Sequence, residues 1–162
     1  MSRRYCFLNY PLDPAAPSPP TIPSVELKPF LRLEKDGANV TTITLTSHSG
    51  THIDVPTHVV DGGLTITQMD AADFVFTAPG VIDLPMEDAR VVQAEDLEPF
   101  IDRLKDFDLL LVRFGWGAVR KTDGARFSQK SPGFGVESAR YLREKLPALR
   151  GLGMDVPSVA CI

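Results

Sequence analysis

The sequence is poor in the residues that build disulfide frameworks and membrane spans. Its 162 residues include only two cysteines, Cys6 and Cys161, at opposite ends of the chain. A disulfide framework is therefore not expected, and we interpret both thiols as structural or inert. No apolar run exceeds four residues, far short of the roughly 20 residues of a transmembrane helix. We predict no membrane partner, no signal peptide and a cytoplasmic location.

An excess of basic charge is also missing. Seventeen Lys and Arg oppose twenty-one Asp and Glu, so the net charge is −4 at pH 7 and the pI is about 5.3. A protein that binds nucleic acid needs a basic stripe, so we expect no nucleic-acid partner. The chain is 43% hydrophobic, which is typical of a globular protein, and its length predicts one domain over residues 1–162.

Proline is abundant, but its excess is local. Seven of the fourteen prolines lie in residues 11–29. The proline ring fixes φ and removes a hydrogen-bond donor, so residues 11–23 are predicted to form neither a helix nor a central strand. We interpret residues 1–37 as a proline-rich N-terminal arm. The arm either lies over a surface, reaches a partner chain or serves as a plain linker.

Hydrophobic periodicity predicts both strands and helices. Alternating or β-branched runs indicate strands over residues 40–46, 80–84, 109–114 and 151–155. Helical spacing predicts one helix that starts close to Pro99 and a second over residues 136–146. This mixture predicts an α/β or α+β domain in which helices pack on a mixed sheet.

All three histidines of the chain lie in one window, residues 48–58, which reads HSGTHIDVPTH. Gly50, Pro56 and several β-branched residues disfavour a helix here. An extended chain would instead direct alternate side chains to the same side, with a period of two. Gly50 is suited to a turn that folds the start of the window back.

In an extended window, His52 and Asp54 have Cα atoms about 6.6 Å apart and can reach one cation. The turn would return His48 to them, and a bend at Pro56 would bring His58 toward the same place. Two imidazoles and a carboxylate are a usual ligand set for catalytic zinc, which keeps an open position for water. The alternative is that these residues are surface or core side chains satisfied by hydrogen bonds.

The window resembles the HxGTHxDxPxH signature of the cyclase family of metal-dependent hydrolases, which includes bacterial kynurenine formamidase. Similar segments follow in the family's order: DGG at 61–63, MD at 69–70, GVIDL at 80–84, LLVRFGW at 110–116, SPGF at 131–134 and GMDVPSV at 153–159. The resemblance therefore runs from about residue 38 to the end of the chain.

The resemblance implies a swivelling β/β/α fold, a homodimer or homotetramer, and a bound divalent metal, zinc first and manganese second. It implies that His48, His52 and Asp54 are metal ligands and that His58 is the general acid/base. The implied reaction is hydrolysis of a small amide, formamide or lactam, with metal-activated water as the nucleophile.

Other positions are open to more than one interpretation. Trp116 and Phe134 are candidates for the wall of a substrate pocket, or else for core packing, and Arg113 is the basic residue best placed to meet a carboxylate. Family members continue past Ile162 and supply a further His and a Glu to the metal site. We therefore expect either a truncated chain or a carboxylate elsewhere that completes the site. The alternative function is an inactive relative, a metal-poor pseudoenzyme or assembly partner.

Overall fold

A computed structural model describes residues 7–161. The chain divides into two compact units, Met1–Gly63 and Leu64–Ile162, and one domain over residues 1–162 stays a prediction. An antiparallel hairpin lies in the first unit, and parallel strands with helices lie in the second, so the α/β class is confirmed. Cys161 is a free thiol, and Cys6 lies outside the described residues. None of the helices within residues 7–161 is long and apolar enough to cross a membrane.

The first unit is built around a hairpin. Strand β1 (Glu26–Leu31) pairs antiparallel with β2 (Val40–Thr44), and the short helix α1 (Leu33–Asp36) lies between them. Strand β2 was predicted, whereas β1, which contains Pro29, was not predicted and lies within the segment interpreted as the proline-rich arm. Each strand of a two-stranded ribbon has a free edge, where the missing N–H of a proline is tolerated. The register also shifts next to Pro29.

The structure contains neither helix nor strand between residue 7 and β1, which confirms the prediction for residues 11–23. Two turns shape this part of the arm, with hydrogen bonds of 3.0 Å from Ala16 N to Asp13 O and 2.9 Å from Ile22 N to Pro19 O. The Leu12 side chain lies so close to Gly50 that an added Cβ there would be 3.1 Å from Leu12 Cδ2. The arm therefore lies over the surface of its own unit.

The second unit contains a parallel sheet of three strands in the order β3-β5-β7. These are β3 (Pro79–Asp83), β5 (Leu109–Arg113) and β7 (Gly151–Met154). All three were predicted to within about a residue at each end. A second, smaller parallel pair joins β4 (Val91–Val92) to β6 (Gly133–Phe134).

Helices connect these strands and cover the sheet. They are α2 (Ala94–Leu104), α3 (Trp116–Thr122), α4 (Gly124–Gln129) and α5 (Val136–Lys145), and α2 contacts α5. Two 3₁₀ helices, Ile66–Gln68 and Ala71–Phe74, precede β3. Side chains buried between sheet and helices form one core, whose members include Ile82, Leu97, Leu104, Leu110, Val112, Phe114 and Leu146. Trp116 and Phe134 are buried in the same core, which favours the packing interpretation for both.

The start of α2 corrects one prediction. The helix was expected to begin close to Pro99, but it begins five residues earlier, at Ala94, and Pro99 lies inside it. The missing N–H of Pro99 costs one backbone hydrogen bond. Burial of Leu97, Ile101 and Leu104 along one face offsets that loss.

Asp108 joins the starts of the three parallel strands. Its carboxylate accepts hydrogen bonds from Thr77 N at 2.9 Å, Ala78 N at 3.0 Å and the Arg150 guanidinium at 3.3 Å. Its carbonyl oxygen accepts a further bond from Gly151 N at 3.1 Å. The hydrogen bond from Thr77, with those from Ala78 and Arg150, holds the pKa of the Asp108 carboxyl below its ordinary value, against an opposing effect of burial.

This lowered pKa predicts a pH-dependent loss of stability. Asp108 binds protons more weakly in the folded chain than in the unfolded chain, so its contribution is fully present above the unfolded pKa of about 3.9. It disappears as pH falls from there through the folded pKa. We expect Asp108→Asn to lower the melting temperature at pH 7, and the difference from wild type to shrink as pH falls below 4, as thermal melts across this range will measure. A constant difference would contradict the assignment.

Candidate metal centre

The four predicted site residues lie in a loop of the first unit that follows β2, residues 46–58, called here the histidine loop. It opens with a turn, closed by a hydrogen bond of 3.0 Å from Ser49 N to Thr46 O, and His48 lies within that turn. Gly50, the first residue after this turn, has φ of 70°, a left-handed conformation that glycine adopts without a steric penalty. The turn predicted before His52 is therefore present.

His52 has a defined tautomer. Its Nδ1 lies 3.0 Å from the Gly50 carbonyl oxygen, and a carbonyl can only accept, so Nδ1 carries the proton. In neutral His52, Nε2 therefore presents its lone pair. That atom lies 3.0 Å from His48 Nδ1.

Asp54 completes a triangle of donor atoms. Its Oδ1 lies 3.4 Å from His48 Nδ1 and 3.6 Å from His52 Nε2. The side chains of His48, His52 and Asp54 are 26%, 24% and 49% exposed. They are thus open to an ion from solvent and yet held against one another.

His58 approaches the same triangle from the other end of the loop. The chain bends at Pro56 into a 3₁₀ helix, Pro56–His58, with a hydrogen bond of 2.9 Å from His58 N to Val55 O. The His58 ring centroid lies 4.4 Å from that of His48. His48, Asp54 and His58 each offer one ligand atom, and these three atoms lie within 4.8 Å of one another. The loop therefore brings all four predicted residues together.

This donor set fits a divalent cation. The 3.0 Å separation of His48 Nδ1 and His52 Nε2 requires a proton or a cation between the two nitrogen atoms. Nitrogen atoms bound to one zinc at about 2.0–2.1 Å lie about 3.3 Å apart at the tetrahedral angle, close to the spacing between His48 and His52. Imidazole and carboxylate ligands suit zinc, while carboxylate also suits manganese.

Two features of the loop were not identified from the sequence. One is the Gly50 carbonyl that orients His52, and the other is the hydrogen bonding between Thr46 and Ser49. A Thr and a Ser three residues apart, just after a strand, are the signal that could have found the second, since such pairs bond each other's backbone in turns.

Arg113, the basic residue singled out from the sequence, is engaged within the second unit. Its guanidinium donates two hydrogen bonds to Asp83 on the neighbouring strand, one of them 2.8 Å from Nη2 to Oδ2. This hydrogen-bonded guanidinium holds the pKa of the Asp83 carboxyl below its ordinary value. The pair links the carboxyl ends of β3 and β5.

Two known proteins are similar to this chain in sequence. The chain is 29% identical to kynurenine formamidase of Bacillus cereus over 126 residues, which cover 78% of this chain and 55% of that protein. It is 26% identical to an uncharacterized protein of Haemophilus influenzae over 111 residues, 68% of this chain and 78% of that protein. The chain thus spans about half the length of the kynurenine formamidase it matches.

A solved structure is similar in fold. Isatin hydrolase A from Labrenzia aggregata, bound to benzyl benzoate, aligns with a TM-score of 0.78 at 23% identity, over 95% of this chain and 68% of that one. The model of the Cyclase family, described as "Putative cyclase", matches residues 7–160. Because that match takes in the histidine loop and the seven strands found within residues 7–161, the chain belongs to the Cyclase family.

Proposed function

We propose that this chain is a metal-dependent hydrolase of small amides, with its metal held by the histidine loop. The observation that carries the proposal is the triangle of His48 Nδ1, His52 Nε2 and Asp54 Oδ1, with sides of 3.0, 3.4 and 3.6 Å. Two imidazole nitrogen atoms in hydrogen-bond contact, with a carboxylate oxygen within 3.6 Å of both, form a donor set suited to a catalytic divalent ion.

The names of the relatives suggest the substrate class. A kynurenine formamidase acts on a formamide, and an isatin hydrolase acts on isatin, which is a cyclic aryl amide. Both substrates contain an amide carbonyl whose nitrogen is attached to an aromatic ring. We therefore place the substrate of this chain among small aryl formamides and lactams, with formamides first because the chain is 29% identical to kynurenine formamidase and 23% identical to isatin hydrolase.

His48, His52 and Asp54 would hold the cation, zinc first and manganese second. A divalent cation supplies Lewis-acid polarisation of a carbonyl and lowers the pKa of water to about 7. The Asp54 carboxylate would offset positive charge of the cation. The hydrogen bond to the Gly50 carbonyl would keep the lone pair of His52 Nε2 directed toward the cation. Because these side chains are partly exposed, substrate can reach the site from solvent.

His58 would move the proton that the reaction requires. Hydrolysis of an amide forms a bond from water oxygen to the carbonyl carbon, breaks the carbon–nitrogen bond and delivers a proton to the leaving nitrogen. His58 lies beside His48, with ring centroids 4.4 Å apart, so it can take the proton from water and give it to that nitrogen. General acid/base catalysis of this kind contributes about 10²–10⁴-fold in rate.

We propose that the enzyme works as a homodimer or homotetramer in the cytoplasm, with no nucleic-acid partner. A metal-poor pseudoenzyme is not favoured, since loss of function would leave His48, His52, Asp54 and His58 no chemical reason to stay together.

The test is hydrolysis of formanilide by the full chain loaded with Zn²⁺ or, separately, Mn²⁺. We expect formate and aniline in equal amounts, loss of turnover after chelation, and recovery when the ion is returned. Isatin serves as a parallel lactam substrate. The proposal would be overturned if the metal-loaded chain, shown to be folded by circular dichroism, hydrolysed neither formanilide nor isatin.

A further inference from the structure

A second hydrogen bond reinforces the turn that carries His48. Besides the bond from Ser49 N to Thr46 O, the Ser49 hydroxyl oxygen accepts a bond of 3.0 Å from Thr46 N. The two bonds run in opposite directions between the same two residues. The Thr46 hydroxyl also lies 3.3 Å from the Ser49 hydroxyl. The ends of the turn are therefore joined three times, and the Ser49 side chain takes part in two of the three contacts.

His48 depends on this turn for its position. It lies in neither a helix nor a strand, because β2 ends at Thr44 and the chain is irregular until Pro56. Its Nδ1 must stay within 3.0 Å of His52 Nε2 and 3.4 Å of Asp54 Oδ1 to complete the triangle. A turn that opens would carry His48 away from both.

We propose that Ser49 is a positioning residue, whose hydroxyl holds the Thr46–Ser49 turn closed and so presents His48 to the cation. This inference rests on the proposed metal site. If only a fraction of molecules has the turn closed, the apparent dissociation constant for the metal rises by the inverse of that fraction. Loss of one hydrogen bond in a partly exposed turn then weakens metal binding by about three- to tenfold.

The chain offers a matched control in the same turn. Ser47 is exposed, and within the part of the chain that the structure describes its side chain makes no hydrogen bond. Ser47→Ala therefore removes the same atom two residues away without touching the bond between Thr46 and Ser49. Ser49→Thr keeps the hydroxyl and tests whether that group, rather than the space it fills, is what matters.

The experiment is titration of the metal-free chain with Zn²⁺ by isothermal calorimetry, for wild type, Ser49→Ala, Ser49→Thr and Ser47→Ala. We expect about three- to tenfold weaker binding for Ser49→Ala, with near wild-type affinity for the other two. Equal affinity of Ser49→Ala and wild type would overturn the inference, as would equal weakening by Ser47→Ala or a failure of Ser49→Thr to restore binding. A wild-type chain that binds no Zn²⁺ would instead overturn the proposed function, and this inference with it.

Discussion

Replacing Asp54 by alanine is expected to abolish stoichiometric zinc binding, with a fall in affinity of about a hundredfold or more. Loss of a partner that only orients a ligand costs about 10–100-fold in metal affinity, and loss of a ligand itself costs more. Asp54 supplies the one carboxylate in the triangle, with Oδ1 3.4 Å from His48 Nδ1 and 3.6 Å from His52 Nε2. Its removal leaves two neutral imidazoles with no anion to offset a divalent charge.

The measurement is zinc content after dialysis, together with affinity by calorimetry. Asp61→Ala is the matched control, because Asp61 is an exposed carboxylate of the same unit with no ion pair or hydrogen bond among the described residues. Asp54→Asn should fall between wild type and Asp54→Ala, since the amide keeps an oxygen but loses the charge. Retention of one zinc per chain by Asp54→Ala would show that the triangle is not the metal site.

Much of the histidine loop could be predicted from the sequence because its constraints are local. The conformational freedom of Gly50 and the restriction at Pro56 act within one or two residues, and they set the turn and the bend that the structure contains. The short spacing of His52 and Asp54 along an extended chain then limits how far apart their side chains can be. A site built from eleven consecutive residues needs no long-range folding information.

The errors arose where tertiary packing overrides a local preference. Pro99 would end or begin most helices, yet α2 continues through it because Leu97 and Ile101 on either side are buried in the core. Residues 1–37 were interpreted as an arm, and β1 forms within that segment, through Pro29, because its partner in the hairpin supplies the pairing. Neither burial nor a pairing partner at Thr41 can be read from a proline and its neighbours.

Contacts with residues distant in sequence also decide the role of Trp116. Its position beside a strand end was compatible with a pocket wall or with the core. The structure buries the ring, places its Nε1 3.2 Å from the Met86 carbonyl oxygen, and sets the Arg126 guanidinium 5.4 Å from the ring centroid. The carbonyl belongs to a residue thirty positions before Trp116 and the guanidinium to a residue ten positions after it, so no local pattern could decide between the two interpretations.

Replacing His58 by alanine is expected to reduce kcat for formanilide by about 10²–10⁴-fold, the usual contribution of a general acid/base. The KM should change little, because His58 is proposed to act on a proton in the transition state rather than on bound substrate. Zinc affinity should stay near that of wild type, since the three atoms of the triangle come from other side chains. Steady-state kinetics and calorimetry on the same preparation measure both quantities.

A matched control separates this role from simple disturbance of the loop. Thr57→Ala changes the preceding residue of the same 3₁₀ helix, Pro56–His58, and should leave kcat unchanged. The competing assignment is that His58 is itself a ligand, because its nitrogen lies within 4.8 Å of ligand atoms of His48 and Asp54. In that case His58→Ala would lose zinc together with activity, and added zinc would restore part of the rate. Loss of kcat with zinc retained is the result that only the acid/base role predicts.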